Sequence, residues 1–478
     1  MKVRIKISKY TIAFGLAFLG IIASRADLLE DAQSAISMKN YKGAIEFLER
    51  AVSENPDIEN NGEYLYLSGV AHMESGDLGE AKRQLESAKS KGNAKASLAL
   101  AKLAMMNYEF NKASNLYSQY IKTGNKSDSE AASRLHKAIG IAENALDRVQ
   151  KIVIIDSISM PEEDFFAKYR LPVSAGRLLS TADLPFETSS EPGFMAYMNE
   201  GEDYLLWSET DENGKLKLKE SHKLVGTGWQ EPMGLPEEIN IGEDFDFPFI
   251  MPDGITLYFA ADGEESMGGY DIFKAHKDPT TGEYLQPLNI GMPFNSPADD
   301  FMLAVDEENG VGWWATRRNA TLGKVNVYVY LLNELRQNHD PDSDDLIDYA
   351  RIKNYRMGQE ESQADNYKRI LSSLPTPGKK KKLKKEEFTL NMGKGKVYHY
   401  FSDFKNKKAA EKMDEYLGLE STLKTEKDKL KKLRESYAKK GTAATKDEIL
   451  KLEMNIERLQ QDSDKMRKEV YKLEKSIK

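Results

Sequence analysis

The sequence predicts a multidomain α + β chain with three parts. These are an N-terminal α-solenoid, a central β-propeller-like region and a C-terminal antiparallel coiled-coil hairpin. Three observations predict it. Small and apolar residues recur at helical spacing over 27–148. The pattern changes to alternating strands with turn glycines over 149–335. Over 404–478 apolar residues then follow steps of three and four.

At 478 residues the chain has room for two to four domains. It is 30% charged and 40% hydrophobic, which suits ordered material. A formal net charge of -9 disfavours nucleic acid as a partner of the whole chain. Cysteine is absent, which excludes disulfides, thiolate metal sites, Cys nucleophiles and a lipid-modified N-terminal Cys.

Lys2, Arg4, Lys6 and Lys9 form a basic head, Thr11 to Ala23 is an apolar run, and Ser24-Arg25-Ala26 offers a cleavage site. Residues 1–26 therefore predict a secretory signal peptide, with an uncleaved anchor as the alternative that Arg25 keeps open. Its removal leaves the chain more acidic, exported and without an integral span.

Over 27–148, Asn40-Tyr41 leads into Ala44, Leu48 and Ala51. Gly76-Asp77 leads into Ala81, Leu85 and Ala88, and Asn107-Tyr108 leads into Ala113, Tyr117 and Tyr120. The leading alanines lie 37 and 32 positions apart, around the roughly 34-residue period of helical hairpin repeats. Ala32, Gly69 and Ala101 sit where the first helix of each pair must approach the second. Each unit looks like a tetratricopeptide repeat, which buries its apolar face by stacking on neighbours. Residues 129–148 read as a capping helix. Two uses remain open: a groove for a partner's peptide or helix, and a rigid spacer against the next domain.

Over 149–335 the turn glycines Gly201, Gly254 and Gly310 are 53 and 56 apart, each followed by an apolar strand. The clearest unit places Pro252, Asp253 and Gly254 in a turn between two strands. Gly268, Gly269, Tyr270 and Asp271 then form a corner into a third. Asn213-Gly214 signals a tight hairpin. The segment 246–301, with Leu288-Asn289-Ile290-Gly291 and Asp299-Asp300-Phe301, resembles the TolB-type, WD-like propeller repeat of Bacteroidetes envelope proteins. Ile239-Asn240-Ile241-Gly242 looks like a weakened copy. Helical repeats followed by such a propeller resemble periplasmic proteins that usually end in an OmpA-like peptidoglycan-binding domain. Some of these resemble accessory components of type IX secretion. No OmpA-like domain follows here, so peptidoglycan anchoring does not carry over. Three clear units are too few for a usual ring. Either 151–185 and a later hairpin at 386–403 complete it, which is preferred, or the array stays open.

Asp244, Asp246, Asp262, Asp271, Asp299 and Asp300 are the candidate acid–base or cation-binding carboxylates. Asp in such turns more often bonds nearby backbone amides. The six histidines lack metal-ligand spacing, and no nucleophile elbow, P-loop or dinucleotide fingerprint is present. Catalytic, cofactor and metal residues are therefore expected to be none. Trp313 and Trp314 are the candidate ligand face, although adjacent strand residues point to opposite sides. Asp340, Asp342 and Asp344 imitate a calcium loop, but Asp345 and Arg351 occupy positions that need Gly and Glu.

Residues 336–385 read as a helical insert, helix over 342–373, and a linker with six lysines in 379–385. That run reads as solvated linker before a grip on anionic lipid or nucleic acid. In the last helix Ile449, Leu452, Ile456, Leu459, Ser463, Met466, Val470, Leu473 and Ile477 repeat at coiled-coil spacing. Tyr416, Leu419, Leu423, Leu430, Leu433 and Tyr437 do so before it, with Glu426 interrupting, and Thr445 with Glu448 forms a capping box. The seams could pair with each other or with another copy or partner.

The expected function is a non-enzymatic periplasmic scaffold that mediates protein–protein contacts as an accessory to type IX secretion, with envelope proteins and further copies of itself as the expected partners. The alternative is a binding module whose propeller face captures a glycan or peptide.

Overall fold

The computed structural model describes residues 27–123, 129–224, 228–240, 244–375, 387–388, 390–393, 396–439 and 443–476. The expected signal peptide at 1–26 and the lysine run at 379–385 lie outside the described residues.

The helices of the N-terminal region are α1 (Asp27–Ser37), α2 (Tyr41–Glu54), α3 (Gly62–Glu74), α4 (Leu78–Ser90), α5 (Lys95–Met106), α6 (Phe110–Lys122) and α7 (Ser129–Leu146). Strands follow as β1 (Val153–Pro161), β2 (Arg177–Ser180), β3 (Met195–Met198), β4 (Tyr204–Thr210), β5 (Leu216–Leu224), β6 (Gly228–Trp229) and β7 (Met233–Gly234). Then come β8 (Asp244–Ile250), β9 (Thr256–Asp262), β10 (Asp271–His276), β11 (Leu288–Asn289), β12 (Asp300–Asp306), β13 (Val311–Thr316) and β14 (Lys324–Leu331). The chain ends with α8 (Leu346–Ala350), α9 (Ala364–Ser373), β15 (Leu390–Gly393), β16 (Lys396–Tyr398), α10 (Lys407–Lys439) and α11 (Ala443–Lys475). The fold is thus mixed α + β: a helical region, central antiparallel sheets and C-terminal helices.

The chain divides into two compact units. One holds residues up to Tyr169 with Ala260–Lys274 and Leu288–Ser373; the other holds Arg170–Phe259, Ala275–Pro287 and the chain from Leu374. In the first unit the helices pack in sequence, because each hairpin turn contains a residue that reverses the chain tightly. Lys39, Gly76 and Tyr108 take φ of 58°, 92° and 60° there. Asn40 and Asp77 then cap α2 and α4 by accepting from the Gly43 and Glu80 amides at 3.1 and 3.0 Å. The predicted close approaches are present: Ala32 and Ala101 are fully buried, and a Cβ on Gly69 would lie 2.6 Å from Leu85 Cγ. The core made by α3 to α7 continues into Val149, Met267, Met292, Leu346 and Ala350. At this end the helices are fixed to the β region of their own unit.

Central strands form three sheets, in the orders β1-β14-β13-β12, β11-β10-β9-β8 and β2-β3-β4-β5-β6, with β7 also on β5. No sheet closes on itself among the described residues. β1, the first strand of the region, pairs with β14, its last, from Val153 opposite Leu331 to Pro161 opposite Lys324. The free edge of β1 is covered by residues 355–359, where the Gln359 amide donates to the Ile154 carbonyl at 2.7 Å. This corrects the single helix predicted over 342–373. Ile352 takes φ of 53° and breaks it, and short turns at Tyr355–Gly358 and Glu361–Gln363 lie between α8 and α9.

Residues 386–403 do not complete the central sheets. β15 and β16 form a sheet of their own, and Phe388, Leu390 and Tyr398 pack with Met413 and Val470 of the long helices. Helix α11 already runs at Ala443, ahead of the capping box expected at Thr445.

Two of the sheets share a clip that sequence inspection did not isolate. In the second unit Asn240 accepts from the Leu218 amide at 2.9 Å and donates to its carbonyl at 3.0 Å, while Asp244 accepts from the Leu216 amide at 2.9 Å. In the first unit Asn295 binds the Ile272 amide and carbonyl, both at 2.8 Å, and Asp299 accepts from Tyr270 at 3.0 Å. Phe247 and Met302, each three residues beyond its Asp, both take positive φ, 56° and 52°. The partner of Asn240 in this repeat is therefore Asn295, not Asn289 as the short motif suggests.

Candidate functional site

The blade-motif residues hold backbone in place. Asp253 accepts from the Ile255 and Thr256 amides at 2.8 and 2.9 Å and from the Thr256 hydroxyl at 3.0 Å. Burial opposes its charge, but these bonds win and lower its pKa. Pro252 precedes it, and Gly254 takes φ of 67°. A Cβ on Gly268 would sit 2.5 Å from the Ala298 carbonyl, a backbone clash that only glycine avoids, and one on Gly269 would strike the Asp299 side chain and displace it. Tyr270 supplies the amide held by Asp299. Asp271 is fully buried, accepts from Met267 N at 3.0 Å and Asn289 Nδ2 at 2.6 Å, and is pushed well above the carboxylate range by burial and then by Asp300.

Trp313 and Trp314 are 1% and 0% exposed, which corrects their assignment to a ligand face. They do point to opposite sides of β13, but both sides are covered. Trp313 meets Tyr169, and Trp314 packs against Phe294, Tyr328 and Tyr330.

The remaining candidate carboxylates are engaged separately. Asp246 accepts from Ser208 Oγ at 2.7 Å and the Phe194 amide at 2.8 Å, and burial pushes it up to about 6. Asp262 pairs with Arg134, and Asp299 with Arg317. Among the described residues no three His, Asp or Glu side chains converge as a metal site requires.

Two polar clusters join residues that no single sequence motif contains. In the first unit Arg318, 5% exposed, pairs with the fully buried Asp300 at 2.6 Å. Its guanidinium also donates to the carbonyls of Pro293 at 2.6 Å, Phe294 at 2.5 Å and Ala350 at 3.3 Å. Tyr108, from the turn between α5 and α6, reaches the same Ala350 carbonyl at 3.5 Å, and burial pushes its hydroxyl up to about 12. One cation therefore ties the sheet, the segment 293–294 and α8 together beneath the helical array. In the second unit Ser189 Oγ donates to Glu209 at 2.7 Å, and Lys219 lies 3.2 Å from Ser189 and 2.7 Å from Glu209. Burial opposes the Glu209 charge, but Lys219, Ser189 and Trp207 lower its pKa. The ion pair engages Lys219 with the carboxylate rather than leaving it as a base for Ser189. A hollow of about 20 Å³, room for one water, lies beside His339 and Tyr349.

The C-terminal helices offer a more extended surface. α10 and α11 are 33 residues each, about 50 Å long. Glu420 meets Ser463, Lys427 meets Gln460 at 3.1 Å, and Arg434 meets Glu453 at 2.7 Å. The pairs step backward along α11 as they step forward along α10, so the helices run antiparallel and their seams pair with each other. Leu423, Leu430 and Val470 are buried in that seam. At its base Glu474 accepts from Tyr398 OH at 2.8 Å and from the Lys405 and Asn406 amides at 3.0 and 3.1 Å. Among the described residues no helix is long and apolar enough to cross a membrane. No family model, curated protein or solved structure matches the chain.

Proposed function

We propose that the chain is a non-enzymatic scaffold of the bacterial cell envelope, exported to the periplasm. It would join partner proteins through tetratricopeptide-like repeats, propeller-like blades and a coiled-coil arm, as an accessory to protein secretion. The observation that carries this reading is the long antiparallel helix pair. Beyond its base cluster it packs chiefly on itself along about 50 Å, which is a geometry suited to engaging other chains. The repeated Asn–Asp clip at matching positions of two sheets supports the blade reading, since the same local device recurs at the blade period. The aspartates that could have served chemistry hold backbone amides or cations instead, which favours a structural role for them.

Cross-linking of the tagged chain in native cells tests the proposal. Defined envelope proteins should co-purify with it and be lost when 404–478 or 27–148 is removed. Turnover of a substrate that Asp244→Asn or Asp299→Asn abolishes would replace this reading with an enzymatic one.

A further inference from the structure

Three Asn-Gly pairs occur in the chain, at Asn61-Gly62, Asn213-Gly214 and Asn309-Gly310. Such a pair carries its own chemistry. The glycine backbone nitrogen can attack the asparagine side-chain carbon, because no Cβ shields it. The three differ in how firmly the fold holds the asparagine.

Asn61 caps α3. Its Oδ1 accepts from the Glu63 and Tyr64 amides at 2.8 and 3.2 Å, and its carbonyl accepts from the Leu65 amide at 3.0 Å. The Gly62 carbonyl is held in turn by Asn93 Nδ2 at 3.2 Å, so attack there costs the helix its start. Asn309 lies in the turn between β12 and β13. Its Nδ2 and its backbone amide donate to Asp306 at 2.6 and 3.0 Å, and Asp306 is 1% exposed. The Gly310 carbonyl accepts from the Leu332 amide at 3.0 Å, just beyond β14. Asn213 is exposed in the turn between β4 and β5. Its amide donates to Asp211 Oδ1 at 2.8 Å, its carboxamide reaches the same side chain, and the Gly214 amide donates to the Asp211 carbonyl at 3.0 Å. Those partners belong to the turn itself. Opening the turn frees the pair and leaves the ladder behind it intact.

We propose that Asn213 is a site of spontaneous modification, an asparagine that deamidates to aspartate and isoaspartate in the folded chain while Asn61 and Asn309 persist. The Gly214 nitrogen gives up its proton and bonds to Asn213 Cγ. The Cγ–Nδ2 bond breaks, and Nδ2 leaves with that proton as ammonia. Water then opens the succinimide ring. Opening at Cγ leaves aspartate, and opening at the main-chain carbonyl leaves isoaspartate, with the peptide bond carried by the side-chain carbon. Nothing is oxidised or reduced, and water is the sole co-reactant. Either product places a second carboxylate beside Asp211. Isoaspartate also adds a methylene to the main chain, so Asp211 Oδ1 no longer holds both the Asn213 and Lys215 amides, which lie at 2.8 and 2.9 Å. The β4–β5 hairpin thereby loses its tied end, where Thr210 pairs with Leu216.

The test incubates the full chain in mildly alkaline buffer, folded and in urea, and follows peptides covering the three pairs by mass spectrometry. Electron-transfer fragmentation separates isoaspartate from aspartate. In the folded chain Asn213 should convert at least about tenfold faster than Asn61 and Asn309. In urea the three rates should converge to within about threefold, since each asparagine precedes glycine. Asn213→Gln should abolish the signal at that position and leave the other two rates unchanged, because the longer side chain closes its ring far more slowly. Equal rates at the three sites in the folded chain, or Asn61 or Asn309 ahead of Asn213, would overturn the proposal. So would a spread in urea as wide as in the folded chain, since the fold would then not be what selects Asn213.

Discussion

The helices at the two ends of the chain draw on similar apolar spacing but end in different environments. In α3 to α7 every helix has neighbours before and after it, and Ala81, Leu85, Ala101 and Ile139 are 0–1% exposed. α10 and α11 have chiefly each other. One stripe is buried, the neighbouring Leu452, Leu459 and Met466 stay half-exposed, and Met454 is 72% exposed. The number of neighbours, rather than the pattern along one helix, decides whether an apolar face becomes core or surface.

The contrast breaks most severely at the point that fixes the helical region to its sheet. Arg318→Ala leaves Asp300 buried and unpaired and should cost about 3–5 kcal/mol in denaturant unfolding. Arg318→Met combined with Asp300→Asn should recover part of that loss. The next comparison sets Leu85→Ala against Leu459→Ala. The first opens a cavity in a closed core and should cost about 2–5 kcal/mol. The second trims a half-exposed side chain and should cost less than about 1 kcal/mol.

A pH series sharpens the picture inside the second unit. Burial lifts Asp246 to about 6 from an unfolded value of 3.8, so the folded state binds its proton more tightly. The associated stability is present below pH 4 and is lost as pH rises to about 6, an effect of roughly 3 kcal/mol. Urea midpoints should therefore fall across that window by more in the natural chain than in Asp246→Asn. The smallest effect belongs to the first helical turn. Lys39 is exposed with φ of 58°, and Lys39→Gly should stabilise by up to about 1 kcal/mol in thermal unfolding.

Much of the helical architecture was legible because it depends on local signals. Asn40 and Asp77 announce helix starts, and Gly69 announces a close approach to Leu85. The coiled-coil spacing announced α10, α11 and their antiparallel hairpin, and that the two seams pair with each other followed once Lys427 and Arg434 could be seen against Gln460 and Glu453. What stayed hidden depends on long-range partners. Nothing near Arg318 in sequence reveals that Pro293 and Ala350 will offer carbonyls to it. The burial of Trp314 depends on Phe294, Tyr328 and Tyr330, and the Asn240 copy was misaligned because its bonding counterpart, Asn295, lies outside the matching four-residue motif. Leu452, Leu459 and Met466 could be read as seam, but only the helix pairing shows that they stay half-buried while Leu423 and Leu430 are buried.

Hydrogen exchange of the full chain tests the central claim most directly. Amides of α3 to α7 should exchange slowly. Those of residues 419–433 and 449–466 should exchange faster by orders of magnitude. A hairpin as protected as α5 would contradict the account.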